Sequence, residues 1–306
     1  MGRDAFKGGI LHEKLGLEFI QGDLTNAPLM GRACKEVDTV FHAAALSSPW
    51  GKAADFFRAN VEGTRHLLAA ARQAGVRRIV YVSTPSLYFR YGGGLLVRED
   101  AELPPAVNEY VRTKRMAETL AQDAGREGFE VVILRPRALI GAGDPSILPR
   151  LVRALEKGRL PIIGDGLNLT DLTCVENVAQ AMWLAAVKPA ATVAGQIYNI
   201  SNGEPGLLWP LLAGIAQELG LAVPTRRISQ QWAMRMAGAL EFAGKATGRE
   251  PPLTKYGVSV LAMDQTLDIS AARRDLGYSP EVTVTEGLRR FVEWWKSGAK
   301  YPFWEI

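Results

Sequence analysis

The sequence predicts an α/β protein in which a doubly wound parallel sheet carries a smaller, mostly C-terminal α/β lobe, and three observations predict it. The chain has 306 residues, of which 47% are hydrophobic, and this is enough for a large core. Short apolar segments alternate with helical segments through the first half, as in βαβ units. After about residue 140, segments rich in Pro and Gly interrupt this alternation, so a second lobe is expected there.

Apolar segments rich in β-branched residues are expected to form the strands. Two helices are expected between the later strands of the first half, and a strand near residue 200 is expected to return to the main sheet. The predicted strands are 17–23, 38–45, 78–84, 130–137 and 196–201. The predicted helices are 52–74, 108–125, 175–188, 207–220, 229–246 and 285–297.

Residues 110–114 read Tyr-Val-Arg-Thr-Lys, and in a helix this spacing puts the Tyr110 phenol and the Lys114 ammonium on one face. An ammonium near a phenol favours the phenolate, so such a pair can act as a general acid/base on an alcohol or ketone. An apolar stripe within 117–124 continues the same face, which predicts that the pair lies against the sheet. The alternative is a helix-surface pair without a chemical role.

Composition and charge exclude several classes of protein. The formal net charge of +4 is spread over the chain, without the basic stripe interleaved with aromatic residues that is typical of nucleic-acid binding. Cys34 and Cys174 lie far apart without metal-ligand spacing, so buried free thiols and no metal site are expected. The chain has no apolar run of membrane-spanning length and no signal-peptide pattern, so a cytoplasmic protein is expected.

Eight motifs occur in the order and approximate spacing of one known family. They read GDL at 22–24, HAAA at 42–45, ANVEGT at 59–64, VYVSTPS at 80–86, YVRTK at 110–114, LRPR with GAGD at 134–144, YNISNGE at 198–204 and LDISAARRDLGYSP at 267–280. Together they make nearly the whole chain resemble the extended short-chain dehydrogenases/reductases. The similar branch is that of the NAD(P)-dependent epimerases/dehydratases and 3β-hydroxysteroid dehydrogenases. The resemblance implies a Rossmann-type fold and a nicotinamide cofactor.

The resemblance implies catalytic roles for four residues. Thr84 stands where the family has a Ser or Thr that hydrogen-bonds the substrate oxygen, with a strand-end turn cap as the alternative. Tyr110 is the expected general acid/base, and Lys114 is expected to lower its pKa. Asn60 resembles the asparagine that supports a proton relay near the lysine, with a helix N-cap as the alternative.

Other residues match the positions at which the family contacts its cofactor. The resemblance implies that the carboxylate after GD reaches the adenine, that the alanines let the backbone approach the cofactor, and that the lysine binds the nicotinamide ribose. It also implies that the proline positions the carboxamide. These residues are Asp23 with its neighbour Leu24, Ala43, Ala44, Ala45, Lys114 and Pro136.

The N-terminus departs from the family pattern, because no glycine-rich loop opens the sequence. Residues 1–3 resemble the end of the family's second strand. The first strand, its loop and the first helix are therefore expected to be missing through a mis-assigned start or a truncation, with a cofactor-free descendant as the alternative. Arg3 stands where NAD-selective members carry an acidic residue, which favours NADP over NAD; Asp4 keeps NAD open.

The predicted division follows these patterns. Residues 1–144 and about 190–204 are expected to form an N-terminally incomplete NAD(P)-binding domain. Residues about 145–189 and 205–306 are expected to form mainly the substrate lobe. The family resemblance further implies a homodimer through the helices at 52–74 and 108–125.

The substrate is expected to be hydrophobic. Sugar-nucleotide epimerases of the family carry an arginine where this chain has Thr170, and loss of that diphosphate partner argues against a sugar nucleotide. Apolar or aromatic residues fill 49–51, 87–89 and 229–243, which favours a greasy alcohol or ketone. Core packing and a membrane-touching helix are the alternatives for 229–243.

The sequence thus predicts an NAD(P)-dependent oxidoreductase that interconverts a secondary alcohol and a ketone, on a substrate resembling a hydroxysteroid or a β-keto acyl chain. A sugar epimerase/dehydratase with tightly held NAD is the alternative enzyme. A non-catalytic binding protein is the alternative of another class.

Overall fold

A computed structural model describes residues 1–145 and 147–298, so residue 146 and residues 299–306 of the predicted substrate lobe lie outside the described residues. The α-helices are α1 (Ala5–Leu15), α2 (Ala27–Ala33), α3 (Ala53–Phe56), α4 (Gly63–Gln73), α5 (Glu109–Arg126), α6 (Ile147–Glu156), α7 (Val175–Val187), α8 (Ala190–Val193), α9 (Leu208–Glu218), α10 (Gln230–Thr247), α11 (Lys255–Ala262) and α12 (Val284–Ser297). The strands are β1 (Thr39–His42), β2 (Arg78–Val82), β3 (Gly94–Val97), β4 (Glu130–Pro136), β5 (Leu139–Ile140), β6 (Ile162–Ile163), β7 (Leu169–Thr170), β8 (Thr173–Cys174), β9 (Ile197–Ile200), β10 (Gly206–Leu207), β11 (Arg227–Ile228) and β12 (Gln265–Leu267).

The main sheet is parallel, with strand order β1-β2-β4-β9, which confirms the predicted α/β class. Its central strands are buried on both faces, as their continuous apolar sequences indicate. Ile133 of β4 pairs with Ile197 of β9, so the segment near residue 200 does return to this sheet.

The predicted strand at 17–23 is reduced to one bridge, in which Gly2 pairs with Gln21 in parallel. Asp4 then caps α1 by accepting hydrogen bonds from the backbone of Phe6 and Lys7. Because the chain turns into a helix so soon after Gly2, only one residue is extended beside the segment. The prediction was therefore right about the parallel direction and wrong about the length.

One face of the main sheet is covered by α4 and α5. Ala117 and Ala121 of α5 are fully buried in a core that also contains Ile79 and Val131 of the sheet. Small side chains let the helix approach the strands closely, which fixes the height of α5 over the sheet. The predicted apolar stripe of this helix is thus its buried face.

The opposite face of the main sheet is covered by α7. Ala181 and Ala185 pack in one core with Val80 of β2 and Val132 of β4. The sequence placed 145–189 in the smaller lobe, but a helix of alanines and valines fits the close spacing of a helix on a sheet. The α7 part of that range therefore packs on the main sheet.

A further hydrophobic core, formed by α6, α9, α10, α11 and α12 around Trp209, Val258 and Phe291, lies in the region predicted as the substrate lobe. A second sheet has strand order β10-β7-β12-β3 and so pairs strands of that region with β3. Within the described parts of the chain, none of the helices is long and apolar enough to cross a membrane.

Candidate active site

The predicted catalytic and cofactor residues meet at the carboxyl ends of the main-sheet strands. Ala43–Ala45 follow β1, Thr84 follows β2 after one residue, and Pro136 ends β4. Val82 pairs with Leu134, so the ends of β2 and β4 are level with each other. This edge of a parallel sheet is where α/β proteins bind ligands, because the loops that follow the strands converge there.

Tyr110 lies in the first turn of α5, where Asn108 caps the helix by accepting a hydrogen bond from Val111 N at 2.9 Å. Its phenol shares hydrogen bonds with the hydroxyls of Thr84 and Ser47. Burial raises the pKa of Tyr110, and these two hydrogen bonds oppose that effect only in part. The phenol is therefore neutral near pH 7 and can donate a proton.

Lys114 is 97% buried one turn further along α5. Its Nζ donates to the Tyr81 hydroxyl and to the carbonyl of Val82, each at 2.8 Å. Burial lowers the pKa of Lys114 to about 7, and the nearby Glu118 opposes this. The ammonium was expected to lower the pKa of the Tyr110 phenol. In this structure its hydrogen bonds go to Tyr81 and Val82, and burial dominates the pKa of Tyr110.

Thr84 combines a structural contact with a position at the candidate site. Its side chain caps the 3-10 turn Pro85–Tyr88 by accepting a hydrogen bond from Ser86 N at 3.2 Å. The same hydroxyl bonds Tyr110, so the turn cap and the catalytic position are not exclusive. The Ser86 hydroxyl in turn lies 2.9 Å from the Tyr256 hydroxyl, which adds a second phenol to the group.

Asn60 is fully buried in a π-helical segment, Phe57–Glu62, that joins α3 to α4. The helix begins earlier, at Ala53, so Asn60 is not at its N-terminus and the N-cap alternative does not apply. Asn60 Oδ1 accepts from Leu46 N at 2.6 Å, and its Nδ2 donates to Leu46 O at 3.2 Å. These two bonds fix the loop that carries Ser47, the residue that bonds Tyr110.

The two residues predicted at the adenosine end of a cofactor lie together. Arg3 and Asp23 are 3.8 Å apart across exposed surface, and Asp23 also accepts hydrogen bonds from the backbone and hydroxyl of Thr25. Leu24 packs on α4 at Gly63, where any larger side chain would meet it at 2.9 Å. The glycine in the ANVEGT motif thus permits this close contact.

The edge between these groups fits a nicotinamide dinucleotide in two respects. Ala43–Ala45 are exposed immediately after β1 and leave the backbone open to a ligand. Lys114 uses two of its three N–H donors on Tyr81 and Val82 and has no third hydrogen-bond partner among the described residues. The remaining N–H of Lys114 can donate a hydrogen bond to a ribose hydroxyl.

A buried polar network links α5, which carries Tyr110 and Lys114, to β4 of the main sheet. Arg135 of β4 forms an ion pair with Glu118 of α5, and both side chains are at least 96% buried. Glu118 also accepts a hydrogen bond from Ser83, and Arg135 donates to the Tyr88 hydroxyl. Tyr88 was expected to line an apolar pocket, but its hydroxyl serves this network because Arg135 and Asn199 partner it.

The apolar segments predicted to form a pocket lie partly together. Trp50 contacts α10 at Gly244, so the loop after β1 meets this helix. Phe89 packs on the Tyr256 ring with centroids 4.6 Å apart. Trp232 and Phe242 of α10 are exposed.

Three residues at the site were not singled out from the sequence: Ser47, Arg137 and Tyr256. Arg137 belongs to the LRPR motif and directly follows β4, and that position at the binding edge was the available signal. Ser47 lies in the loop after β1 and Tyr256 in α11, both far from Tyr110 in sequence, so no spacing in the sequence linked them to it.

Comparison with known proteins agrees with this architecture. The chain matches the NAD dependent epimerase/dehydratase family over residues 3–201. It is 36% identical over 283 residues to a 2-alkyl-3-oxoalkanoate reductase of Stenotrophomonas maltophilia (strain K279a), covering 90% of this chain and 86% of that protein. It is 34% identical over 302 residues to 3beta-hydroxysteroid-dehydrogenase/decarboxylase isoform 1 of Arabidopsis thaliana, covering 93% of this chain and 69% of that protein.

A solved structure of similar fold is that of MoeE5 in complex with UDP-glucose and NAD. It has a TM-score of 0.68 and 29% identity, covering 91% of this chain and 85% of that chain. The chain therefore belongs to the NAD-dependent epimerase/dehydratase family. This confirms the predicted resemblance and an NAD(P)-dependent enzyme of the extended short-chain type.

Proposed function

We propose that this protein is an oxidoreductase that interconverts a secondary alcohol and a ketone on a hydrophobic substrate. The observation that carries the proposal is the Tyr110 phenol, held by the hydroxyls of Thr84 and Ser47 at the carboxyl edge of the sheet. A neutral phenol between two hydroxyls can give a proton to a carbonyl oxygen, and the hydroxyls can stabilise the charge that develops there.

The residues divide the work of this reaction. Thr84 and Tyr110 hydrogen-bond the substrate oxygen, and Tyr110 protonates it in the reductive direction. Lys114, with a pKa of about 7, can hold or release a proton next to the Tyr81 hydroxyl that it hydrogen-bonds, and Tyr110 lies close enough to Tyr81 to raise the pKa of that phenol. Asn60 acts by fixing the loop of Ser47.

The cofactor would lie along the edge formed by Arg3, Asp23, Ala43–Ala45, Lys114 and Pro136. When bound, a nicotinamide dinucleotide supplies or accepts the hydride at the carbinol carbon. We propose NADP over NAD, because the exposed Arg3 guanidinium suits a 2′-phosphate. The Asp23 carboxylate beside Arg3 would repel a 2′-phosphate and so weakens the preference for NADP. NAD is the alternative cofactor, because the similar structure of MoeE5 contains NAD.

The hydrophobic substrate is supported by the named relatives and by the site. The Stenotrophomonas relative is named as a reductase of a 2-alkyl-3-oxoalkanoate, and the Arabidopsis relative as a hydroxysteroid dehydrogenase. Thr170, where sugar-nucleotide enzymes carry an arginine, is 96% buried in β7. Its hydroxyl donates to the carbonyl of Asp171 at 3.4 Å.

A sugar epimerase/dehydratase is the second candidate, favoured by the family match and by MoeE5 with its UDP-glucose. It differs in turning over without net consumption of cofactor. The proposal also includes the division into two lobes and a homodimer formed through α4 and α5. It further includes a cytoplasmic location and peripheral contact of α10 with a membrane.

The test is the Tyr110→Phe variant, assayed for NADP- and NAD-dependent oxidation of long-chain secondary alcohols. Loss of the phenol proton should lower kcat by about 100- to 10,000-fold while cofactor binding persists. Tyr198→Phe is the matched control, since it removes a buried phenol hydroxyl from β9 outside the group. Full turnover by Tyr110→Phe would refute the assignment.

A further inference from the structure

Tyr81 of β2 contacts the candidate catalytic lysine with both its hydroxyl and its ring. The side chain of Tyr81 is buried, with 1% of its surface exposed. The Lys114 Nζ donates to the Tyr81 hydroxyl at 2.8 Å and lies over the Tyr81 ring, 4.4 Å from its centroid. A hydrogen-bond acceptor and an aromatic ring both stabilise an ammonium, so Tyr81 offsets part of the cost of burying this charge.

The Tyr81 hydroxyl differs in kind from the other partner of Lys114, which is the carbonyl of Val82. A carbonyl only accepts a hydrogen bond, whereas a phenol hydroxyl both accepts and donates. Within residues 1–145 and 147–298, the Tyr81 hydroxyl has no hydrogen-bond partner besides Lys114. Its own O–H can therefore turn to the Lys114 nitrogen when that nitrogen is an uncharged amine. The hydroxyl is suited to hold Lys114 in either protonation state.

Both protonation states of Lys114 are populated near neutral pH. Burial lowers the pKa of Lys114 to about 7, and the nearby Glu118 opposes this. Tyr81 stays a neutral phenol, because burial raises its pKa and the charges of Glu118 and Tyr110 act in the same direction. His42, whose ring centroid lies 5.3 Å from that of Tyr81, is uncharged, since burial lowers its pKa to about 3. Of the lysine, the histidine and the two phenols, only the lysine therefore changes charge near pH 7.

We propose that Tyr81 is a positioning residue that keeps Lys114 in one place, one turn from Tyr110 on α5, while Lys114 loses and regains a proton. The inference rests on the proposed function and adds to it a residue that acts through Lys114. The Tyr81 hydroxyl accepts from the ammonium and donates to the amine, and its own proton stays on its oxygen throughout. A lysine held in both states needs no rearrangement during turnover, which is the advantage of a preorganised site.

The direct test follows the Lys114 nitrogen by NMR in protein that is isotope-labelled at its lysine nitrogens, with Lys114→Met to identify the signal. The midpoint of the titration should lie at about pH 7 in wild type. Tyr81→Phe keeps the ring and removes the hydroxyl. The midpoint should then fall by about one pH unit, because a hydrogen bond to an ammonium is stronger than one to an amine. Tyr198→Phe, which removes a buried phenol hydroxyl from β9, is the matched control and should leave the midpoint unchanged.

The pH dependence of turnover connects Tyr81 to the reaction. Reduction of a long-chain ketone with NADPH or NADH takes up a proton at the site, so kcat/KM should fall as Lys114 loses its own proton, above about pH 7. Tyr81→Phe should move this fall to lower pH by about one unit, and Tyr198→Phe should not move it. A role of Tyr81 in packing alone would lower the stability of Tyr81→Phe and leave both pH profiles in place.

The two measurements separate failure of this inference from failure of the proposed function. The same Lys114 midpoint in wild type and Tyr81→Phe would overturn the inference, whatever the activity. A lower midpoint with an unchanged kcat/KM profile would also overturn it, since Tyr81 would then hold the lysine without serving the reaction. Absence of ketone reduction by wild type, with the midpoint still lower in Tyr81→Phe, would overturn the proposed function and leave the hold of Tyr81 on Lys114 established.

Discussion

Arg135 and Arg137 stand two residues apart at the end of β4, and both are more than 90% buried. Arg135 pairs with Glu118 and donates to the Tyr88 hydroxyl, so its charge and its donors are satisfied. Arg137 donates to neutral Gln265 and leaves Nε without a partner in the described chain. Both arginines are thus buried and belong to the same LRPR motif, and they differ in their ion-pair and hydrogen-bond partners.

The difference indicates separate roles for two similar side chains. A buried arginine with a full set of partners holds α5 to the sheet and so places Tyr110 and Lys114. A buried arginine short of partners is suited to a ligand. Both side chains lie at the carboxyl end of β4, Arg135 within the strand and Arg137 directly after it.

The largest expected effect comes from breaking the satisfied pair. Glu118→Gln leaves the Arg135 charge buried without its carboxylate, so the free energy of unfolding should fall by about 3–5 kcal/mol in urea denaturation. Glu127→Gln is the control: it breaks an exposed ion pair with Arg72 and should cost under about 1 kcal/mol. Equal small losses in both variants would remove the structural role of the pair.

Lys114 is a third buried cation, and its effect depends on pH. Its pKa is about 7 in the folded protein against 10.5 as the ordinary value, so between these values the unfolded chain binds more protons. The free energy of unfolding should therefore rise with pH across this window, by at most about 1.4 kcal/mol per unit. Lys114→Met should lack this rise, whereas Lys157→Met, at an exposed lysine, should retain it. Parallel pH curves for wild type and Lys114→Met would contradict the account.

The smallest expected effect on stability is that of Arg137→Met. Removing a buried charge that has no ion-pair partner should change the free energy of unfolding by less than about 1 kcal/mol, or raise it. Arg135→Met should instead cost about 3–5 kcal/mol, because it strands the Glu118 carboxylate. Urea unfolding of the two variants side by side measures the contrast, and equal losses would erase it.

Local sequence was sufficient for the parts of the fold that depend on local pattern. The alternation of apolar strands and helices predicted β1, β2, β4, β9 and the α5 face correctly, since burial on a sheet imposes that pattern. It missed the packing of α7 on the main sheet, because an apolar helix does not reveal which layer it covers. It also overextended the strand at 17–23, whose pairing depends on a distant residue, Gly2.

The residues of the candidate site likewise fall into those that local sequence could predict and those that it could not. Tyr110 and Lys114 could be proposed as a pair because a four-residue helical spacing carries its own geometry, and Thr84 could be proposed from the family resemblance. Tyr256 and Arg137 come together through the packing of the smaller lobe on the sheet, which no spacing encodes. The pKa of Tyr110 was expected to be lowered, and burial raises it, because burial is a property of the whole fold.

The most direct test of the central claim is whether turnover consumes cofactor. The wild-type protein, given NADPH or NADH, is incubated in parallel with a long-chain 3-oxo acid and with UDP-glucose, and nicotinamide absorbance and products are followed together. The account predicts stoichiometric oxidation of the cofactor as the 3-oxo acid becomes a 3-hydroxy acid, and no conversion of the sugar nucleotide. Conversion of UDP-glucose without net change in the cofactor would contradict it and establish the epimerase alternative.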